Sequence, residues 1–143
     1  MPPAARVGDP TGHPGVIGPP GVPTVLIVDD HAAFRRRVRR LLEAEGWTVA
    51  GEAGDGAAAI ELSRRVAPDL ALVDVGLPDT SGLAVAGALA LLPAAPACIL
   101  VSTHDGADFE ALAQRAGALG FLAKDELDGA ALSALLARRG TSG

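Results

Sequence analysis

Two short apolar runs, each followed directly by acidic residues, constrain the fold of this chain more than any other feature. Residues 25–28 are VLIV and precede Asp29 and Asp30, while residues 70–73 are LALV and precede Asp74. An apolar run of four or five residues is typical of a strand that is buried on both faces of a parallel sheet. Because open α/β sheets place their sites at the carboxyl ends of the strands, we expect the three carboxylates to meet at one edge.

Three carboxylates at one edge repel one another. Two unit charges about 4 Å apart cost roughly 4 kcal/mol at an effective dielectric constant of about 20. A fold tolerates this only where positive charge is held among the acids. Lys124 is the only lysine of the chain and follows a later apolar run, so we expect it to reach the same edge. Since three acids and one lysine leave two negative charges, the cluster predicts a site for a divalent cation.

Between the apolar runs, hydrophobic residues recur at helical spacing. Such a stripe predicts a helix over residues 31–45 that ends at Gly46. Strands are predicted over residues 24–28, 47–50, 70–73, 97–101 and 119–123, each followed by a helical pattern. Five such units predict an α/β fold, in which five helices cover both faces of a five-stranded, doubly wound parallel sheet.

Two later helices carry more specific expectations. The inner face of the fourth helix is expected to consist of Phe109, Leu112, Ala113 and Ala116. The last helix is expected to begin with Asp125 as its N-terminal cap.

The distribution of Pro and Gly indicates one domain with two short ends. The 143 residues are 49% hydrophobic, which is enough for a domain with a core. Residues 1–23 are predicted to be a disordered Pro/Gly-rich tail, residues 24–139 the domain, and residues 140–143 a frayed end.

Charge and motif content argue against several classes of protein. The net charge of −5 disfavours general binding to nucleic acid or anionic membranes, and no glycine-rich phosphate-binding loop is present. Residues 80–103 lack charge over a length that could span a bilayer, but Pro93 and Pro96 interrupt them, so we expect no membrane span. Cys98 has no partner cysteine and is expected to be buried and inert.

The polar residues at the predicted strand ends, taken in order, resemble the receiver domain of two-component response regulators. They are Asp29-Asp30, Asp74, Pro78 and Gly82 in the next loop, Ser102, and Lys124. This resemblance implies a flavodoxin-like three-layer sandwich. Residues 28–31 (VDDH) and 51–53 (GEA) resemble the branch that usually carries a LuxR-type helix-turn-helix domain. Because the sequence ends after the fifth predicted helix, we expect that domain, and direct DNA binding, to be absent.

The resemblance implies a phosphoryl acceptor and a magnesium site. Asp74 is expected to be the phosphoacceptor, since a carboxylate is already ionised at neutral pH and ready as a nucleophile. Mg²⁺ is expected among oxygen ligands, with Asp30 binding directly and Asp29 mainly through water. The complete expected metal set is Asp29, Asp30, Asp74 and the backbone carbonyl of Gly76.

The resemblance also implies residues that bind the phosphoryl group and transmit its presence. Lys124 and the hydroxyl of Ser102 are expected to contact phosphoryl oxygens, with Thr103 as the alternative hydroxyl. Phe121 is expected either to swing inward as the switch aromatic or to belong simply to the core.

Two histidines flank the expected site. His31 is expected to begin a helix and point outward, so neither it nor His104 is expected to ligate a metal. A hypothesis is that His104 and Gly76 tune hydrolysis of the acyl phosphate.

The implied partner is a sensor histidine kinase or a phosphotransfer protein, and the implied location is the cytoplasm. A homodimer through the fourth helix, fifth strand and fifth helix is a further expectation. The arginines of residues 35–40 form either a solvated helix face or a docking surface for that partner. The protein is expected to be no enzyme beyond Mg²⁺-dependent self-phosphorylation and autodephosphorylation. The alternative function is a receiver-like binding module that is never phosphorylated.

Overall fold

The computed structural model describes residues 23–103 and 107–141. Five strands and five α-helices alternate along this part of the chain. The strands are β1 (Thr24–Val28), β2 (Thr48–Ala53), β3 (Leu70–Asp74), β4 (Ala97–Ser102) and β5 (Gly120–Ala123). The helices are α1 (Ala32–Ala44), α2 (Gly56–Val66), α3 (Gly82–Leu89), α4 (Ala107–Arg115) and α5 (Gly129–Thr141), and a 3₁₀ turn spans Lys124–Glu126.

All strand pairs are parallel, in the order β2-β1-β3-β4-β5. The predicted α/β class, with one five-stranded parallel sheet and five helices, is therefore confirmed. The order reverses at β1, since the chain first moves outward to β2 and then returns to β3 on the other side. In sheets of this kind the crevice at the switch point, beyond the carboxyl ends of the strands, is where ligands bind.

The central strands separate two apolar layers, because successive side chains of a strand point to opposite faces. Leu26 and Val28 of β1 belong to the layer that is covered by α2, α3 and α4. Val25 and Ile27 belong to the layer that is covered by α1 and α5. This two-sided burial explains why β1 and β3 are continuous apolar runs, and it holds the residues that follow them in place.

Three local predictions are wrong. The edge strand β2 covers Thr48–Ala53 instead of residues 47–50, because an edge position tolerates the half-exposed Gly51 and Glu52. Leu112 is 39% exposed and not on the inner face of α4. Asp125 lies in the 3₁₀ turn, and the carboxylate of Asp128 accepts the capping hydrogen bond of α5 from the N–H of Ala131 at 2.8 Å.

The remaining predictions for the fold concern Cys98, a membrane span and the two ends of the chain. Cys98 is buried as predicted. Within the described part of the chain, every helix is too short or too polar to cross a bilayer. The predicted tail lies outside the described residues except for Pro23, and residues 142–143 also lie outside them. The domain boundaries at residues 23 and 139 stay a prediction.

Candidate functional site

The sheet brings the acidic residues and the lysine to a single edge. Asp29 and Asp30 directly follow β1, Asp74 ends the neighbouring β3, and Lys124 directly follows β5. Carboxylate oxygens of the three acids lie within 4.8 Å of one another, together with a ring nitrogen of His31. The convergence predicted from the apolar runs is therefore present in the structure.

Asp29 is the buried centre of this cluster, with no exposed surface. Its Oδ1 accepts a hydrogen bond from the backbone N–H of His31 at 2.8 Å, and its Oδ2 accepts one from Nζ of Lys124 at 2.5 Å. Its own N–H donates to the carbonyl of Ala53 at 3.0 Å. The two bonds to its oxygens fix the carboxylate and compensate for its removal from water, while the backbone bond ties the residue to β2.

Asp74 is also buried, at 7% exposure. Burial raises the pKa of its carboxyl group and the neighbouring charge of Asp29 raises it further, while Lys124 and a hydrogen bond from the Gly76 backbone oppose this increase. The carboxylate of Asp74 is therefore costly to keep ionised, but it lies next to the positive charge of Lys124. Gly82 packs against its backbone, where a Cβ atom would collide with the Asp74 carbonyl.

Lys124 connects the two buried acids. Its Nζ lies 3.7 Å from Oδ2 of Asp74, in addition to its bond with Asp29, and its side chain is only 11% exposed. Nζ also lies 4.3 Å from the centre of the Phe34 ring, a favourable contact between a cation and an aromatic face. The sequence predicted the reach of Lys124 but not the contact with Phe34.

His31 begins α1 with an exposed side chain, as expected, but its ring also contacts the two acids that precede it. His31 is the N-terminal cap residue of α1 and its side chain is 68% exposed, yet its Nδ1 lies 3.1 Å from Asp29 Oδ1 and 3.0 Å from Asp30 Oδ1. The ring therefore lies at the N-terminus of α1, beside the carboxylates of Asp29 and Asp30. A histidine directly after two acids was the only sequence signal for this contact.

Two residues at the end of β4 differ sharply in burial. Ser102 is 5% exposed, whereas Thr103 is exposed and lines a cleft of about 420 Å³. The other lining residues are His31, Phe34, Arg37, Lys124 and Asp125. The choice between the two hydroxyls as phosphoryl ligand stays a prediction.

Phe121, on β5, is partly buried and packs against the layer under α3 and α4. Its role as a switch stays a prediction. His104 lies outside the described residues.

The side chains of the cluster fit a small divalent cation. They offer three carboxylates, and Mg²⁺ takes hard oxygen ligands of this kind. With Lys124 the cluster carries a formal charge of −2, which one divalent ion balances. The arrangement can therefore hold a metal, present a carboxylate beside it, and place an ammonium group next to both.

Comparison with known proteins decides the family. Residues 25–136 match the model of the response regulator receiver domain. The chain belongs to this family. It is 41% identical over 102 residues to the nitrate/nitrite response regulator protein NarP of Escherichia coli, covering 71% of this chain and 47% of NarP.

Solved structures agree with this assignment. The signal receiver domain of NarL from Mycobacterium tuberculosis has a TM-score of 0.73 at 37% identity and covers 81% of this chain and 98% of that one. A LuxR-family two-component response regulator from Aurantimonas sp. SI85-9A1 has a TM-score of 0.74 at 30% identity, covering 82% of this chain and 88% of that one. The chain spans about half the length of the curated relatives it matches.

Proposed function

We propose that this receiver domain accepts a phosphoryl group on Asp74 from a histidine kinase or a phosphotransfer protein and thereby switches a protein-interaction surface. The observation that carries this proposal is the position of Asp74, buried at the carboxyl edge of the sheet, with Asp29 in the same cluster and Lys124 Nζ at 3.7 Å. A buried carboxylate is otherwise an unfavourable residue in this place.

In the proposed transfer, an oxygen of Asp74 forms the new bond to phosphorus. The bond from phosphorus to the donor imidazole nitrogen breaks, and its electron pair stays on the imidazole. Mg²⁺, held by Asp29, Asp30, Asp74 and the Gly76 carbonyl, would offset the negative charge of the phosphoryl oxygens. The protein otherwise contributes positioning, because the sheet fixes the acids before the donor arrives.

Lys124 and Ser102 are the proposed ligands of the transferred group. The ammonium of Lys124 lies between Asp29 and Asp74, so it needs only a small movement to contact a phosphoryl oxygen on Asp74. Ser102 ends β4, the strand next to Asp74, and its hydroxyl would donate a hydrogen bond to a second oxygen.

These new bonds would bias an existing equilibrium in α4 and β5, with Phe121 following the hydroxyl. The proposed output surface consists of α4, β5 and α5, which would form a homodimer or bind a downstream partner. We place this activity in the cytoplasm, where the proposed kinase partner would present its phosphohistidine.

Incubation with acetyl phosphate and Mg²⁺ tests the proposal. The wild-type chain is expected to take up the phosphoryl label, Asp74→Asn is expected to take up none, and removal of Mg²⁺ with EDTA is expected to abolish uptake. Asp79→Asn is the matched control, because Asp79 is an exposed acid of the next loop. Label that persists in Asp74→Asn would assign the acceptor elsewhere, and an unlabelled wild type would favour a binding module that is never phosphorylated.

A further inference from the structure

The peptide unit that joins Asp29 to Asp30 carries both acids that precede α1, so its orientation decides where both carboxylates point. We propose that Arg35, a residue of α1, is a positioning residue for the metal site and acts by holding this peptide. The inference rests on the proposed function, because it concerns the Mg²⁺ that phosphoryl transfer would use.

Arg35 contacts the peptide directly. Its Nη1 donates a hydrogen bond to the backbone carbonyl of Asp29 at 2.5 Å. The backbone N–H of Asp29 donates to the carbonyl of Ala53 at the end of β2. Asp29 is therefore held at both of its backbone groups, once by the sheet and once by a side chain.

Arg35 is itself fixed by a second partner. Its Nε donates to Oε1 of Glu52 at 3.0 Å, and Arg39 donates to the other oxygen of Glu52 at 2.7 Å. Arg35 and Glu52 are only 20% and 23% exposed. Burial acts to raise the pKa of Glu52, but hydrogen bonds from Arg39 and Arg35 hold that pKa below its usual range, so the glutamate stays ionised. The planar guanidinium thus spans α1, β2 and the acidic loop with two donors in fixed geometry.

The charge of Arg35 and its proposed role have opposite effects on metal binding. A positive charge near a cation site repels the ion, so its removal by itself would strengthen Mg²⁺ binding. Loss of the bond to Asp29 would release the peptide and weaken binding, since groups that orient metal ligands typically change affinity by about 10-fold to 100-fold. The sign of the change therefore distinguishes positioning from electrostatics.

The test is a titration of the ¹⁵N-labelled full chain with MgCl₂, followed by the backbone amide shifts around Asp30 and Gly76. The dispersion of each spectrum shows that the variant is folded. We expect Arg35→Met to raise the dissociation constant about tenfold, and Arg35→Lys, which keeps the charge and one donor, to recover part of the affinity.

Two matched variants complete the experiment. Arg39→Met removes the other partner of Glu52 but leaves the bond to Asp29, and Arg36→Met removes an exposed positive charge of the same helix. Both are expected to bind Mg²⁺ as tightly as the wild type or slightly more tightly. The inference is overturned if Arg35→Met binds as tightly as Arg36→Met, or if Arg39→Met is weakened equally. A wild type without Mg²⁺-dependent shifts would overturn the proposed metal centre and this inference with it.

Discussion

Replacement of Lys124 by Met removes the positive charge between two buried acids and keeps the aliphatic part of the side chain beside Phe34. Lys124 Nζ lies 3.7 Å from Asp74 Oδ2, a separation at which two unit charges attract by roughly 4.5 kcal/mol at an effective dielectric constant of about 20. Much of this attraction, and of that with Asp29, offsets the cost of burying the charges. In Lys124→Met the acids stay buried without this attraction, so the cost of burying their charge is no longer offset and the fold is destabilised.

We expect Lys124→Met to lower the free energy of unfolding by about 3–5 kcal/mol in EDTA, the range for breaking a buried ion pair from one side. Mg²⁺ should restore more stability to the variant than it adds to the wild type, because it supplies the missing positive charge. An ion present at 100 times its dissociation constant contributes about 2.7 kcal/mol. The stability lost in Lys124→Met should also be smaller at acidic pH. Without Lys124 the raised pKa of Asp74 rises further, so Asp74 is neutralised earlier as the pH falls.

Urea denaturation, followed by circular dichroism with and without Mg²⁺, measures these quantities. Arg40→Met, which removes an exposed charge from α1, is the control and should change stability by less than about 0.5 kcal/mol. An unchanged midpoint for Lys124→Met in EDTA would refute the argument that Lys124 neutralises the buried acids.

Three further predictions concern single residues. Asp74→Asn should raise the stability of the fold in EDTA at neutral pH and flatten its dependence on pH. The raised pKa of Asp74 means that its ionised form destabilises the fold and that this penalty disappears as the pH falls, which denaturation at several pH values checks. Ala67→Gly should raise stability by about 1 kcal/mol, since Ala67 ends α2 at φ 45°, where glycine carries no Cβ penalty; thermal unfolding measures it. His31→Ala should weaken Co²⁺ binding several-fold more than Mg²⁺ binding, because imidazole suits Co²⁺ better; competition titration gives the ratio.

The sequence predicted the central sheet and the meeting of the acids for one physical reason. Strands such as β1 and β3 must be apolar along their whole length when helices cover both faces, and parallel strands then bring the residues after them to one edge. Asp29, Asp74 and Lys124 follow from this rule although Lys124 is 95 residues away from Asp29.

The remaining features depend on contacts that no local pattern encodes. The length of β2 does not follow from its sequence, because an edge strand needs no continuous apolar run. The turn of His31 toward the acids depends on one side-chain rotation at a helix end. The bond from Arg35 to the Asp29 carbonyl depends on a half-buried glutamate, Glu52, that lies 17 residues further along the chain, and no local pattern joins the two residues.

Reduction of the phosphorylated chain with borohydride tests the central claim most directly. An aspartyl phosphate is converted to homoserine by this reagent, so peptide mass spectrometry locates the acceptor. After acetyl phosphate and Mg²⁺ treatment, the account predicts homoserine at position 74 and none in a sample prepared with EDTA. Homoserine at another acid, or at no acid in a chain that binds Mg²⁺, would contradict it.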